Sequence, residues 1–91
     1  MGVTLILPPQ LRNLSGGRAE IDVNADDVAS ALIAIDKKFP GIEVSVRNEL
    51  GEPRKHILIY VNDEEIRLLQ GMNTPVRDGD RVFIIAALSG G

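Results

Sequence analysis

Cysteine and tryptophan are absent from this 91-residue chain, and His56 is its single histidine. Without a thiol, disulfides, thiolate metal sites and thiol catalysis within the chain are excluded. A zinc site would need carboxylates almost alone, and a nucleophile–base pair of the usual kinds is hard to assemble around one imidazole. His56 therefore reads as a strand-edge residue. Aromatic residues make up 3% of the chain (Tyr60, Phe39, Phe83), so the core must be aliphatic and no platform exists for stacking bases. No stretch approaches the ~20 apolar residues of a membrane span. The opening MGVTLILPP lacks a basic segment and a long apolar run, and Ile6 stands where a myristoylation pattern needs Ser or Thr. The expectation is a soluble cytoplasmic protein with no membrane or nucleic-acid partner.

What is present fits one globular domain: 44% apolar and 25% charged residues, with a net charge of −3. The basic residues are scattered, with only Lys37-Lys38 and Arg54-Lys55 adjacent, which is a poor footprint for a phosphate backbone.

The apolar run at 3–7 is stopped by Pro8-Pro9 and reads as a first strand. After the turn signal Ser15-Gly16-Gly17, residues 19–23 alternate apolar and polar as a half-buried strand should, completing a hairpin with a long connection. A helix comes next. Asn24 is the expected cap, Asp26 and Asp27 occupy the first turn and Lys37 and Lys38 the last. Val28, Ala31, Leu32, Ile35 and Phe39 form its core stripe, and Pro40-Gly41 end it. Residues 42–56 read as a variable connection with one short element, in which Ile42, Val44 and Val46 alternate. Residues 57–61 form a strand and Asn62-Asp63 a turn. Ile66 and Leu68 mark a return strand, Asp78-Gly79-Asp80 a tight hairpin turn, and 81–87 the last strand. One helix over a mostly β sheet predicts an α+β fold, a β-grasp (ubiquitin-like) roll with a mixed sheet packed on one main helix. The domain spans 1–87 and a flexible Gly-Gly tail 88–91.

Few constellations carry chemistry. Asp78-Gly79-Asp80 lacks the further acidic ligands and the closing glutamate of a calcium loop. Asp63-Glu64-Glu65 has no partner for acid–base work and reads as a solvated loop or a contact for a basic partner. Ser15-Gly16-Gly17-Arg18 is not followed by Gly-Lys-Ser/Thr, so it is not a phosphate cradle. In the last strand Val82, Ile84 and Ala86 point one way and Phe83 and Ile85 the other. With one helix available, Phe83 and Ile85 are expected to form an exposed apolar patch beside the tail, a partner-binding surface.

The segments IYVNDEEIR (59–67) and VRDGDRVFII (76–85), together with the terminal SGG, resemble the ThiS/MoaD family of ubiquitin-like sulfur carriers. LRNLSGGR (11–18) adds an upstream match, and the likeness covers nearly the whole chain in order. The resemblance implies that an adenylating (E1-like) partner uses ATP and Mg²⁺ to activate the carboxylate of Gly91, which a sulfur donor converts to a thiocarboxylate. It implies a co-substrate with no catalytic side chains and no bound cofactor or metal. Leu88, Ser89 and Gly90 form the tail that delivers Gly91. Gly90 and Gly91, lacking Cβ, suit a narrow channel. Family tails often carry a Pro-Pro-Val-Ala-like run where this chain has Ala86-Ala87-Leu88-Ser89. The LRNLSGGR and VNDEEIR segments look most like the carrier that feeds cysteine biosynthesis. There a cysteine synthase accepts the sulfur onto an activated serine derivative and a metalloprotease releases cysteine. The small subunit of molybdopterin synthase is the second reading. A protein modifier joined to lysines through Gly91, and a plain interaction subunit with an inert tail, are the others.

Overall fold

A computed structural model describes residues 2–87. Strands β1 (Gly2–Ile6) and β2 (Glu20–Asn24) form an antiparallel pair, extended by the Leu7 N–H donating to the Ala19 carbonyl at 2.8 Å. Helix α1 (Val28–Lys38) and the short α2 (Ile42–Val46) come next, then β3 (Ile57–Val61), the two-residue β4 (Glu64–Glu65) and β5 (Arg81–Ala86). The sheet order is β2-β1-β5-β3-β4, and β1 and β5 at its centre run parallel while the other pairs are antiparallel. This is the β-grasp roll, with a mixed sheet curled over one main helix.

Helix α1 forms because its stripe has a partner. Val28, Ala31, Leu32 and Ile35 are buried against Val3 and Leu5 of β1, Ile21 and Val23 of β2, Ile59 of β3 and Val82 and Ile84 of β5, so the core is wholly aliphatic. Its cap is Asp27 rather than the expected Asn24, which remains in β2. The Ser30 N–H donates to Asp27 Oδ1 at 2.7 Å and the Asp27 N–H donates to Ser30 Oγ at 3.1 Å, a reciprocal capping box. Asp27, expected within the first turn, takes the cap position because it stands three residues ahead of Ser30.

Three further expectations are corrected. Alternation at Ile42, Val44 and Val46 belongs to a helix: Ile42 and Val46 are buried four residues apart while Val44 is 62% exposed. Gly41 (φ 104°) permits the sharp entry, and Asp36 Oδ1 accepts from the Gly41 and Glu43 N–H groups to fix it. The return strand shrinks to β4, after which Ile66–Leu68 is a 3-10 turn that buries Ile66 and leaves Leu68 exposed. Glu65 drives this by accepting from the Arg67 N–H, pulling the backbone out of the ladder. Asp78-Gly79-Asp80 is indeed a tight turn, but residues 66–77 leading into it hold no strand, so it is not a hairpin turn; the Gly79 N–H donates to the Gly2 carbonyl, tying the entry of β5 to the start of β1. The long β1–β2 connection also holds a 3-10 segment, Pro9–Ser15, whose proline sits at the first position, where its missing N–H costs nothing.

Candidate functional site

With α1 and α2 on one side, no helix among the described residues covers the opposite face of the sheet. On β5, Val82 and Ile84 are buried beneath α1, and Phe83 and Ile85 emerge on the open face, as the alternation predicted. Register then decides their company. Phe83 lies opposite Ile6 of β1 on one side and Tyr60 of β3 on the other, and Ile85 lies opposite Leu58. Directly opposed residues share a face and approach closely enough to interact. The five side chains Ile6, Leu58, Tyr60, Phe83 and Ile85 thus make one apolar surface across three strands. Ile85 is its most open member at 41% exposure, and the other four are half-buried.

The rest of the open face is polar. Glu20 and Asp22 point outward from β2; Thr4 Oγ1 donates to Asp22 Oδ1 at 2.7 Å, and Arg81 reaches Glu20 Oε2 at 3.3 Å. The Arg81 guanidinium also sits 5.7 Å from the Phe83 ring centroid, a cation–π contact at the border between the two halves. The apolar surface is therefore bounded on the β2 side by charge, and on another by the Pro9, Gln10 and Arg12 wall of the 3-10 segment.

The surface leads to the end of the strand. Ala86 pairs with Ile57, and the Ala87 N–H donates to the His56 carbonyl at 2.7 Å, the last ladder-like bond before the described chain stops. Gln10, Leu11, Ser45 and His56 line a shallow groove around Ala86 and Ala87. His56 is exposed and serves through its backbone here, as expected of a strand-edge residue. The expected tail residues Leu88, Ser89, Gly90 and Gly91 lie outside the described residues.

The acidic segments have structural work. Asp78 Oδ1 accepts from the Gly2 N–H, and Asp80 accepts from the Arg77 N–H and from Asn62 Nδ2. The bond from the Arg67 backbone N–H holds the Glu65 carboxyl below the usual glutamate range, reinforced by the Arg67 guanidinium. Among the described residues no group of three or more His, Cys, Asp or Glu side chains converges as a metal site, and no helix is long and apolar enough to cross a membrane.

Sequence reasoning set Phe83 and Ile85 on the open face of β5 but did not place Ile6, Leu58 and Tyr60 beside them. Alternation within 57–61 already put Leu58 and Tyr60 on one face; what was lacking was the register that sets them beside β5.

Comparison with known proteins bears on the whole chain. The ThiS family model matches residues 5–91. The sulfur carrier protein CysO of Mycobacterium tuberculosis (strain ATCC 25618 / H37Rv) is 31% identical over 93 residues, with all of both chains covered. A chain in the crystal structure of the Amycolatopsis orientalis BexX/CysO complex superposes with a TM-score of 0.91 at 30% identity, covering 98% of this chain and 99% of that one. The solution structure of small archaeal modifier protein 1 from Methanosarcina acetivorans superposes with a TM-score of 0.81 at 27% identity, covering 99% and 96%.

Proposed function

The chain belongs to the ThiS family, and from that premise we propose that it is a sulfur carrier whose cargo is held as a thiocarboxylate on Gly91. An adenylating partner joins the Gly91 carboxylate to the α-phosphate of ATP, with pyrophosphate leaving. A sulfur donor then displaces AMP, and the carboxylate oxygen is replaced by sulfur. ATP and Mg²⁺ belong to the partner's reaction. The protein is a co-substrate, so its own side chains bind and present and need not catalyse.

The observation that carries this reading is the family match, which runs through residue 91 and so includes the Gly90-Gly91 pair. The geometry agrees with it. The central strand β5 leads past an apolar surface, in which Ile85 stands two residues from the end of the described chain, so a partner gripping Phe83 and Ile85 is positioned to receive the residues beyond Ala87. For the acceptor we favour a cysteine synthase-type enzyme, with a metalloprotease releasing the product. The LRNLSGGR segment that carries that resemblance contributes Leu11 to the groove at the exit of β5.

The test is reconstitution with the cognate activating enzyme, ATP and a sulfide source, with intact mass as the readout. A gain equal to one sulfur replacing one oxygen, localised to Gly91, supports the proposal; an unchanged mass under conditions where the enzyme consumes ATP refutes it.

A second reading has its own support in the likeness to small archaeal modifier protein 1: the same activated glycine transferred to lysines of target proteins. Isopeptides between Gly91 and lysine, found by mass spectrometry of proteins from the native host, would establish it.

A further inference from the structure

We propose that the outer edge of β2 at Asp22, together with the groove between β2 and α1, is a docking site for an extended acidic segment of a partner protein. This surface lies on the helix-covered side of the sheet, away from the apolar open face and from Ala87, and the proposal is independent of the sulfur-carrier reading.

β2 is the outermost strand on its side of the sheet. The Thr4 N–H donates to the Asp80 carbonyl, toward β5, so Thr4 turns its backbone groups away from β2. Its register partner Asp22 consequently directs its own N–H and C=O to the outer edge. A side chain confirms that direction: Lys38 Nζ donates to the Asp22 carbonyl at 2.9 Å. An edge carrying outward N–H and C=O groups is a template for strand addition, and a lysine laid across it is a common guard.

The groove beside this edge, of ≈ 570 Å³, has an apolar middle and a cationic end. Val23, Ala34 and Ile33 form the middle, with Ile33 43% exposed, and Lys37 and Lys38 close the end nearest Asp22. Neither lysine is in an ion pair among the described residues, although the chain carries a net charge of −3. The Asp22 carboxylate is turned to the open face, where Thr4 holds it. At the opposite end of α1 stand Asp26 and Asp27, which disfavour a further acid there. Charge therefore places the occupant's acidic residues at the Lys37–Lys38 end and its apolar residues over Ile33.

A second copy of this chain fits poorly. Symmetric pairing of two β2 edges brings the Glu20 and Asp22 carboxylates of both copies together, a like-charge arrangement that opposes pairing. An acidic strand from another protein accepts the lysines instead. On docking its backbone N–H takes the Asp22 carbonyl, and Lys38 swings from that carbonyl to the incoming carboxylate.

The test is a titration of the ¹⁵N-labelled protein, monitored by amide shifts, with two synthetic peptides. Each carries valines at alternate positions and an adjacent pair of aspartates, placed before the valines in one and after them in the other. One of the two is expected to shift the amides of β2 and the exposed face of α1. Replacing its aspartates by lysines should abolish the shifts, and Lys37→Glu/Lys38→Glu should weaken binding by about tenfold or more, while spectra elsewhere show an intact fold. Ile33→Asp should also abolish binding. The proposal is overturned if neither peptide shifts β2, if the shifts map to Phe83 and Ile85, or if charge reversal leaves affinity unchanged.

Discussion

Replacing Ile85 by aspartate should separate folding from recognition. Ile85 is 41% exposed, so more than half of its side chain is covered, and that cover comes from neighbours on an open face rather than from the core. Full burial of an isoleucine is worth about 1.5–3 kcal/mol. Loss of the covered part, with the lower strand propensity of aspartate, therefore costs about 1–2 kcal/mol. Small domains hold about 5–15 kcal/mol, so Ile85→Asp should stay folded with a lower urea midpoint. Its neighbour is the internal control: Ile84 is 2% exposed beneath α1, and Ile84→Asp buries an uncompensated carboxylate and should not fold. Val44→Asp is the external control, since Val44 is 62% exposed on α2, away from the sheet. In the activation assay Ile85→Asp should lower kcat/KM at least about tenfold, as expected for an apolar anchor at an interface, while Val44→Asp matches wild type. If Ile85→Asp unfolds, the two faces of β5 are assigned backwards. If it folds and is activated as well as wild type, the open face is not where the partner binds.

Deleting Gly91 should abolish thiocarboxylate formation and leave the thermal midpoint unchanged, because the buried core among the described residues runs from Val3 to Ile84; a large drop in the midpoint would contradict this. Asp27→Ala removes one half of the capping box and should cost about 1 kcal/mol in urea unfolding, with Ser30→Ala costing less when made in the Asp27→Ala background than alone. The Glu65 carboxyl should titrate below the ordinary glutamate range when monitored by NMR, and Arg67→Ala should raise it only partway, because the alanine keeps the backbone N–H that bonds the carboxylate. Its folded-state pKa is depressed, so its contribution to stability is present above the unfolded value and disappears as pH falls through the folded one.

The fold was legible because the strongest local signals agreed. The stripe Val28, Ala31, Leu32, Ile35 fixes a helix and its buried face, and the runs at 3–7, 57–61 and 81–87 mark strands, which together imply one helix on a mixed sheet. Legibility failed where a side chain competed with a backbone pattern. Ile66 and Leu68 have strand spacing, yet the Glu65 carboxylate captures the Arg67 N–H and turns the chain. Ile42, Val44 and Val46 alternate, yet Ile42 and Val46 also stand one helical turn apart, and the core took that pair. A three-residue apolar alternation carries both periods, and only burial distinguishes them.

Sequence by itself determined the element types over most of the chain, the aliphatic nature of the core, the split of β5 into a covered and an uncovered face, and the ordered motifs that place the chain in its family. These are local properties, set by composition, periodicity and short spacings. Tertiary structure alone decided which residues stand beside Phe83 and Ile85. Ile6, Leu58 and Tyr60 reach them only through the parallel register of β1 on β5 and the antiparallel register of β3 on β5. It also decided that β2 lies at the edge with Lys38 across it. Strand order and register are set by closing the whole core at once, and shifting any strand by one residue would turn its buried set outward. No local stretch of sequence contains that condition.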